Sequence, residues 1–351
     1  MSGPPQADSS ALQALMAAVV LEAGGRELTG RDLVAAGVVS ERWLRLEREL
    51  TEGLELVAGD PPSEAETTSE LRAFRLQHGL GSAEDLRAWM RERELTLRTV
   101  REVCERVVAR RSGAVPAAVS TAQIANALVA EAICSGALKE LGWWLADRIL
   151  CAGATETSAE PISLQRTRVK RLVFAESCTV AGAASGEAGL ERGRRMAWIA
   201  ALDDAYSAWS ANATAPAEVS RRLREHDLDW CRFELDVLRL ASPGAAAEAA
   251  QRLAERRTPD QVAAMAGVEV SHRSLVLTDA APAIAGTLAG AGAGDVVGPW
   301  TDDEEHLVAR VRERVAPTIE DPESLARARE ALLADGASQL RAGKVRWYER
   351  A

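Results

Sequence analysis

The stretch Leu228-Asp229-Trp230-Cys231-Arg232-Phe233-Glu234-Leu235-Asp236-Val237-Leu238-Arg239-Leu240 decides the fold, because within it the chain changes period. From Arg232 to Val237 charged and apolar residues alternate one by one. That places Phe233, Leu235 and Val237 on one side of an extended segment and Arg232, Glu234 and Asp236 on the other, a strand with one buried face. The adjacent apolar pair Trp230-Cys231 breaks the alternation and predicts a bulge. Downstream, the pattern predicts helices over 244–256 and 259–266 and strands over 269–277, 296–300 and 304–315. A short helix after Pro282 and the turn Gly292-Ala293-Gly294-Asp295 separate them. Strand, two helices, strand, helix, strand, strand is a compact α+β module. Asp321-Pro322 then opens a final helix to about Arg341, Gly343 stops it, and 345–348 leave as a short extended tail.

Upstream the periodicity is helical. Residues 1–10 are a polar Pro/Ser arm. Thr29 is placed to cap a helix, Gly37 to end it, and Ser40 to cap the next, whose Trp43, Leu46 and Leu50 share a face. After the loop Gly59-Asp60-Pro61-Pro62 a helix begins near Ser69 and stops at Gly79. Ser82 caps one carrying Leu86, Trp89 and Met90, and Thr96 caps another reaching about Arg111. Ser112-Gly113-Ala114-Val115-Pro116 reads as a linker. Periodicity returns over 121–151, where Trp143 and Trp144 are adjacent and point in different directions, leaving one free to face a groove. Residues 169–180 read equally as a strand or a short helix, 191–212 as a helix with Ile199, Leu202 and Tyr206 on one side, and Pro216 opens another. The spacing Glu70-x7-His78-x-Leu80 repeats as Glu218-x7-His226-x-Leu228, each in a helix ending at its histidine.

Composition bounds the function. At 351 residues the chain is long enough for two or three domains with cores of their own. A net charge of -10 argues against coating nucleic acid, which needs a basic face, and residues 29–46, a faint helix-turn-helix, lack a basic recognition helix. Nine Trp against three Phe and two Tyr is the unusual feature. Trp is a core anchor or, with its large ring and single donor, a favoured lining of peptide grooves. Cys104, Cys134, Cys151, Cys178 and Cys231 form no CxxC pair, so free buried thiols in a reducing cytoplasm are expected and no zinc knuckle. The start lacks a basic n-region and a spanning apolar run, which predicts a cytoplasmic protein with no membrane partner. Residues 286–294 lack the context of a nucleotide loop, and no hydrolase or metalloprotease motif stands out. His226 at a helix end need not share the face of Asp227, Asp229 and Cys231, so no metal is expected. The acidic run Thr301-Asp302-Asp303-Glu304-Glu305 reads as a solvated turn. No cofactor follows from any of these patterns.

Ala217-Glu218-Val219-Ser220-Arg221-Arg222-Leu223-Arg224-Glu225-His226, followed by the strand beginning at Trp230, resembles the junction in SurA-like and PpiC-type chaperones. There a chaperone helix leads into the first strand of a parvulin prolyl-isomerase domain. Gly294-Asp295-Val296-Val297-Gly298-Pro299-Trp300 with Glu305-His306-Leu307-Val308 resembles the parvulin ending, and residues 325–347 resemble the closing segment of the same group. Residues 71–89 are similar to the N-terminal helical region of PpiC-related bacterial proteins of peptide-maturation systems, a group that includes the peptide-binding proteins of crocagin-type pathways. The resemblance covers about 70–110 and 215–350 and implies an α+β fold. It comprises a mostly helical SurA-like body with a degenerate parvulin-like domain, a small mixed sheet with flanking helices.

Parvulins resemble one another in two central histidines beside an apolar proline pocket. Here His306 takes the last-strand position, Asp236 takes the first-strand position, and the Gly-rich aromatic loop is missing. The resemblance therefore implies a binding surface more than an isomerase, because lowering a rotation barrier of ~20 kcal/mol needs a shaped apolar site. His306 facing Asp236 is the candidate catalytic remnant, and a nearby carboxylate would fix the tautomer of the imidazole. Trp230, Phe233, Trp300, His306, Trp143 and Trp144 are the candidate peptide-binding residues. The expected boundaries are 1–10, 11–112 (N-terminal helical), 113–225 (middle helical), 226–316 (parvulin-like) and 317–351 (C-terminal helix and tail). The expected role is an accessory protein that binds a ribosomally made precursor peptide, leader or core, and presents it to peptide-modifying enzymes of natural-product biosynthesis. The alternatives are a prolyl isomerase, assistance to a cyclisation, and a general cytoplasmic holdase. Arg-rich residues 192–195 and 221–224 would pair with acidic leader residues, or else form solvated helix faces. A homodimer stays open.

Overall fold

The computed structural model describes residues 10–112, 115–154, 166–184, 186–302 and 305–348. The chain divides into two compact units, Met1–Ser210 with Ala337–Ala351, and Ala211–Gly336. The fold is α+β, mostly helical, with two small antiparallel sheets.

The first unit begins with α1 (Ser10–Ala17), β1 (Val19–Ala23) and β2 (Arg26–Thr29), where periodicity predicted only helix. Gly24 and Gly25, both at positive φ, make the tight turn of this hairpin. Then come α2 (Gly30–Val39), α3 (Arg42–Gly59), α4 (Glu64–Gln77), α5 (Ala83–Glu92), α6 (Leu97–Ser112), α7 (Thr121–Cys134), α8 (Ala137–Ala154), α9 (Arg166–Ser177), α10 (Val180–Ala184) and α11 (Gly189–Ala213). Residues 169–180, open between strand and helix in sequence, are thus mostly helix. Gly37 does not end α2, which runs on to a C-cap at Ser40. Helix starts follow side-chain chemistry: the Thr29 N–H donates to Asp32 (2.8 Å), that of Ser63 to Glu66 (3.0 Å) and that of Ser82 to Asp85 (2.7 Å). The helix after Gly59 therefore starts at Ser63, ahead of the expected Ser69.

One core joins Leu12, Leu33, Trp43, Leu128, Leu141, Leu145, Met196 and Ile199. The segments expected as separate N-terminal and middle regions thus share a single interior. A smaller cluster packs Phe74, Leu86, Val100 and Cys104 against Ala130 and Cys134. No single helix among the described residues is long and apolar enough to cross a membrane.

The second unit holds α12 (Pro216–Glu225), β3 (Arg232–Leu240), α13 (Pro243–Ala254), α14 (Pro259–Ala266), β4 (Val270–Val276), α15 (Pro282–Gly290), β5 (Val296–Asp302), β6 (Glu305–Val315) and most of α16 (Pro322–Arg341). This is the strand and helix order read from the sequence. The strands lie in the order β4-β3-β6-β5. Every pairing is antiparallel, where a mixed sheet was expected. The α13–α14 connection brings the chain back to the end of β3 that it left, so Val270 pairs opposite Leu238 and β4 runs backward. Phe233, Leu235 and Val237 pack on Ile284 and Leu288 of α15 and on Val297, Leu307 and Val311. Leu238 and Leu240 pack the other way, on Ala246, Ala249, Leu253 and Val262. Alternation fails after Val237 because β3 is covered on both faces there. The bulge lies on β6, where Arg312 is the extra residue between Val311 opposite Leu235 and Glu313 opposite Glu234. Trp230 and Cys231, expected to mark it, precede the strand.

The chain then returns to the first unit as β7 (Val345–Trp347), which pairs antiparallel with β1, Leu21 opposite Trp347. Gly142 of α8 admits this strand: a Cβ there would stand 2.2 Å from the Trp347 ring.

Glu176 of α9 is fully buried, 3.3 Å from Arg192 Nε and 3.8 Å from Arg195 Nη1, with neither oxygen in hydrogen-bond geometry. Burial pushes its pKa from 4.5 to about 7 against the pull of the two guanidinium groups, and the neighbouring Glu187 carboxylate pushes it the same way. The folded state therefore holds a proton that the unfolded chain releases. The stability this carboxyl contributes is complete below about pH 4.5 and is lost as pH rises through about 7. Glu176→Gln is expected to melt higher than the parent chain at about pH 8 and to show a flatter Tm across the interval between. Parallel Tm curves for the two proteins would contradict this.

Candidate functional site

Two neighbouring residues of α8, Trp143 and Trp144, line a cavity of about 430 Å³ with Asp147 and Arg148 of the same helix, Tyr206 of α11 and Arg341 of α16. All of these belong to the first unit. Spacings of four residues set the arrangement, since Trp144 and Arg148 share one face of α8 and Trp143 and Asp147 an adjoining one. The Arg148 guanidinium lies 3.5 Å over the Trp144 ring and 4.2 Å over that of Tyr206. Its Nε donates to Asp203 (2.7 Å) and its Nη1 to the Trp144 carbonyl (3.0 Å). Arg341 sits 4.8 Å over the Trp143 ring and holds Asp147 through two bonds of 2.5 and 2.6 Å. Trp143 also meets Trp347 edge-on at 5.4 Å, and Tyr206 meets Trp209 at 5.3 Å.

Each arginine is thus laminated against rings and pinned by a carboxylate, so the wall is rigid before any ligand arrives. Burial lowers the Arg148 pKa against the pull of Asp203 and raises that of Tyr206. The lining carries no nucleophile–base couple. It offers aromatic faces, paired charge and the Arg42 and Glu140 rim, 3.8 Å apart, which is binding chemistry. Arg148, Tyr206, Arg341 and Trp347 were not among the binding residues expected from the sequence. The Trp144-x3-Arg148 spacing was the available signal, whereas Arg341 and Asp147 are 194 residues apart.

The other expected site residues are dispersed. Phe233 (0% exposed) and Trp300 (8%) are core residues of the sheet. Trp230 is buried among Val219, Leu223, Ala328 and Leu332, with His226 stacked on its ring at 4.4 Å. These three rings are occupied by packing. His78 likewise ends α4 and packs on Phe74 at 4.2 Å, so the repeated histidine spacing marks a helix end resting on an aromatic ring.

His306 does not face Asp236. The register sets His306 opposite Leu240 and Arg310 opposite Asp236, which separates the expected pair by four residues along the sheet, about 13 Å. Asp236 instead lies 2.6 Å from Nδ1 of His272 on β4, and His306 Nδ1 lies 3.4 Å from the Thr301 hydroxyl. No parvulin-like histidine centre forms from Asp236 and His306.

Most arginines of the two arginine-rich stretches are paired inside the chain, Arg192 and Arg195 around Glu176 and Glu187, Arg221 with Glu218 and Glu225, and Arg222 with Asp335, whereas Arg224 is exposed. His226 and Asp229 approach to 3.3 Å, and no group of three or more metal-ligating side chains gathers among the described residues. Cys178 is exposed, against expectation, while Cys104, Cys134, Cys151 and Cys231 are buried. Burial pushes the Cys104 thiol up to about 11 and those of Cys134 and Cys151 to about 12, so these three are not nucleophiles. Asp303 and Glu304 of the acidic run, and Gly113 and Ala114 of the linker, lie outside the described residues.

No family model matches the chain, and no curated protein matches it. Among solved structures it is similar to one from Campylobacter jejuni, described with the virulence factor PEB4 and the periplasmic protein Cj1289 as two structurally related SurA-like chaperones of that human pathogen. Identity is 8%, the match covers 95% of this chain and 100% of that one, and the TM-score is 0.21. A likeness of that degree carries neither fold nor function across.

Proposed function

We propose that the chain is an accessory peptide-binding protein of the chaperone kind. It captures a ribosomally made precursor peptide in the aromatic–arginine groove of its helical unit and presents it to modifying enzymes. The observation that carries this reading is the pre-assembled wall of Trp143, Trp144, Tyr206, Arg148 and Arg341 around a cavity without a nucleophile. Rigid rings bind at little entropic cost, and centrally placed Trp and Arg side chains are where binding energy concentrates. A second mode is favoured by the sheet order, which leaves β4 at an edge where an extended peptide can add as a strand.

Titration with labelled synthetic precursor peptides, read by anisotropy, tests the groove. Trp144→Ala and Arg148→Ala should each weaken binding about 30-fold, the effect of losing an anchor of ~2 kcal/mol. Undiminished affinity in both would reject the groove. One peptide bound far better than unrelated unfolded chains favours a dedicated maturation protein over a general holdase. Turnover of a proline tetrapeptide that vanishes in His306→Ala would favour the isomerase.

A further inference from the structure

We propose that the second unit carries a binding site of its own, a cavity that takes an organic anion by its carboxylate or phosphate oxygens through Arg256 and Arg310. The cavity measures about 890 Å³ and is framed by the end of α13, the end of α15, the turn leading into β5, and β6. That volume is in the range of small-molecule sites. Much of its wall is backbone, contributed by Gly290, Ala291, Ala293 and Gly294, which leaves the chemistry to two arginines, Thr287 and Asp295.

The charges are arranged for an anion. Elsewhere in this unit Arg221, Arg222, Arg232, Arg239, Arg252 and Arg327 are each held by a carboxylate. Arg256 and Arg310, like Arg224, Arg257, Arg312, Arg314 and Arg329, have no ion-pair partner among the described residues, and of these seven only Arg256 and Arg310 line the cavity. Arg310 spends one N–H on the Arg257 carbonyl at 3.3 Å, and its Nη2 comes within 3.8 Å of where a Cβ on Gly294 would stand. Gly294 itself is at φ 93, a conformation glycine adopts without strain, and the guanidinium lies at ordinary contact distance from this turn. Asp295, the acid of the cavity, is engaged in closing that turn, accepting from the Gly292 N–H at 2.8 Å. Its single charge offsets one arginine and leaves the cavity with net positive charge.

The backbone at Arg256 points the same way. It follows α13 at φ 67, the left-handed conformation that usually falls to glycine at this position, and its N–H donates to the Leu253 carbonyl at 3.0 Å. A helix end that carries arginine where glycine is unstrained places that side chain on the cavity wall at a conformational cost. Carboxylate and phosphate both accept the paired N–H groups that two guanidinium forks present, and lysine does not reproduce that geometry.

The test is calorimetric titration of the full chain with succinate and, separately, with inorganic phosphate, each against sodium chloride of matched ionic strength. Binding of at least one above the chloride control is expected, and which one binds identifies the oxyanion. The double variant Arg256→Gln/Arg310→Gln should lose at least 10-fold in affinity while keeping the circular dichroism and Tm of the parent. Arg310→Lys should bind more weakly than the parent and more tightly than the double variant, and Arg87→Gln, an exposed arginine of the other unit, should bind as the parent does. Absence of binding by both anions, or an unchanged affinity in the folded double variant, overturns the proposal.

Discussion

Glu131→Ala is expected to destabilise the first unit by about 3–5 kcal/mol, a large share of the roughly 5–15 kcal/mol that holds an ordinary domain folded. Glu131 and Arg106 are both only 3% exposed, and the carboxylate accepts two bonds from the guanidinium at 2.8 and 3.0 Å while Arg110 approaches to 3.7 Å. Around them are Val103, Cys104, Ala130 and Cys134. Removing the acid leaves a cation in that apolar setting with no counter-charge, and the cost is its desolvation, not the value of one contact. The double replacement Arg106→Met/Glu131→Leu should therefore recover most of the loss, because a dry apolar pair replaces a dry ionic one. Urea midpoints by circular dichroism measure both. A double variant no more stable than the single would show that the pair, and not the orphaned charge, carries the energy.

Phe233→Ala should cost about 3–5 kcal/mol in the second unit, the usual penalty for emptying a buried aromatic site. The ring is fully buried between α15 and the sheet, against neighbours spread over four elements that cannot close together over the void. Amides of β3, β4 and β6 are expected to lose hydrogen-exchange protection. Trp144→Ala, by contrast, should lose peptide binding at a smaller cost in melting, because its half-buried ring packs against the core of the first unit without being enclosed by it. If Phe233→Ala exchanged like the parent while losing peptide, the ring would be a binding residue after all.

The two outcomes follow from what a sequence can display. Alternation over Arg232–Val237 reports a face and so was legible, as were the caps at Ser82 and Thr96 and the helix ends at His78 and His226. The β1–β2 hairpin was hidden because a short apolar run fits a helix as well as a strand, and only Gly24-Gly25 distinguishes them. Asp236 and His306 were each correctly placed on strands, but whether they meet depends on register, which is fixed by side-chain packing across the sheet and shifted by the bulge at Arg312. Partners such as Arg341 and Asp147 leave no local trace. They are joined by tertiary structure alone.

The pairing of β7 with β1 has a consequence for synthesis. The second unit, residues 211–336, is spliced into the sequence of the first, whose three-stranded sheet needs Val345–Trp347 to be complete. On the ribosome the hairpin β1–β2 must wait with one edge open while the whole inserted unit is made, and Trp143 waits with it for Trp347. The inserted unit has all of its own strands first. The inner unit can therefore be completed before the outer one, and the cavity of Trp143 and Trp144, which takes Arg341 from the returning chain, is among the last parts of the molecule to be completed.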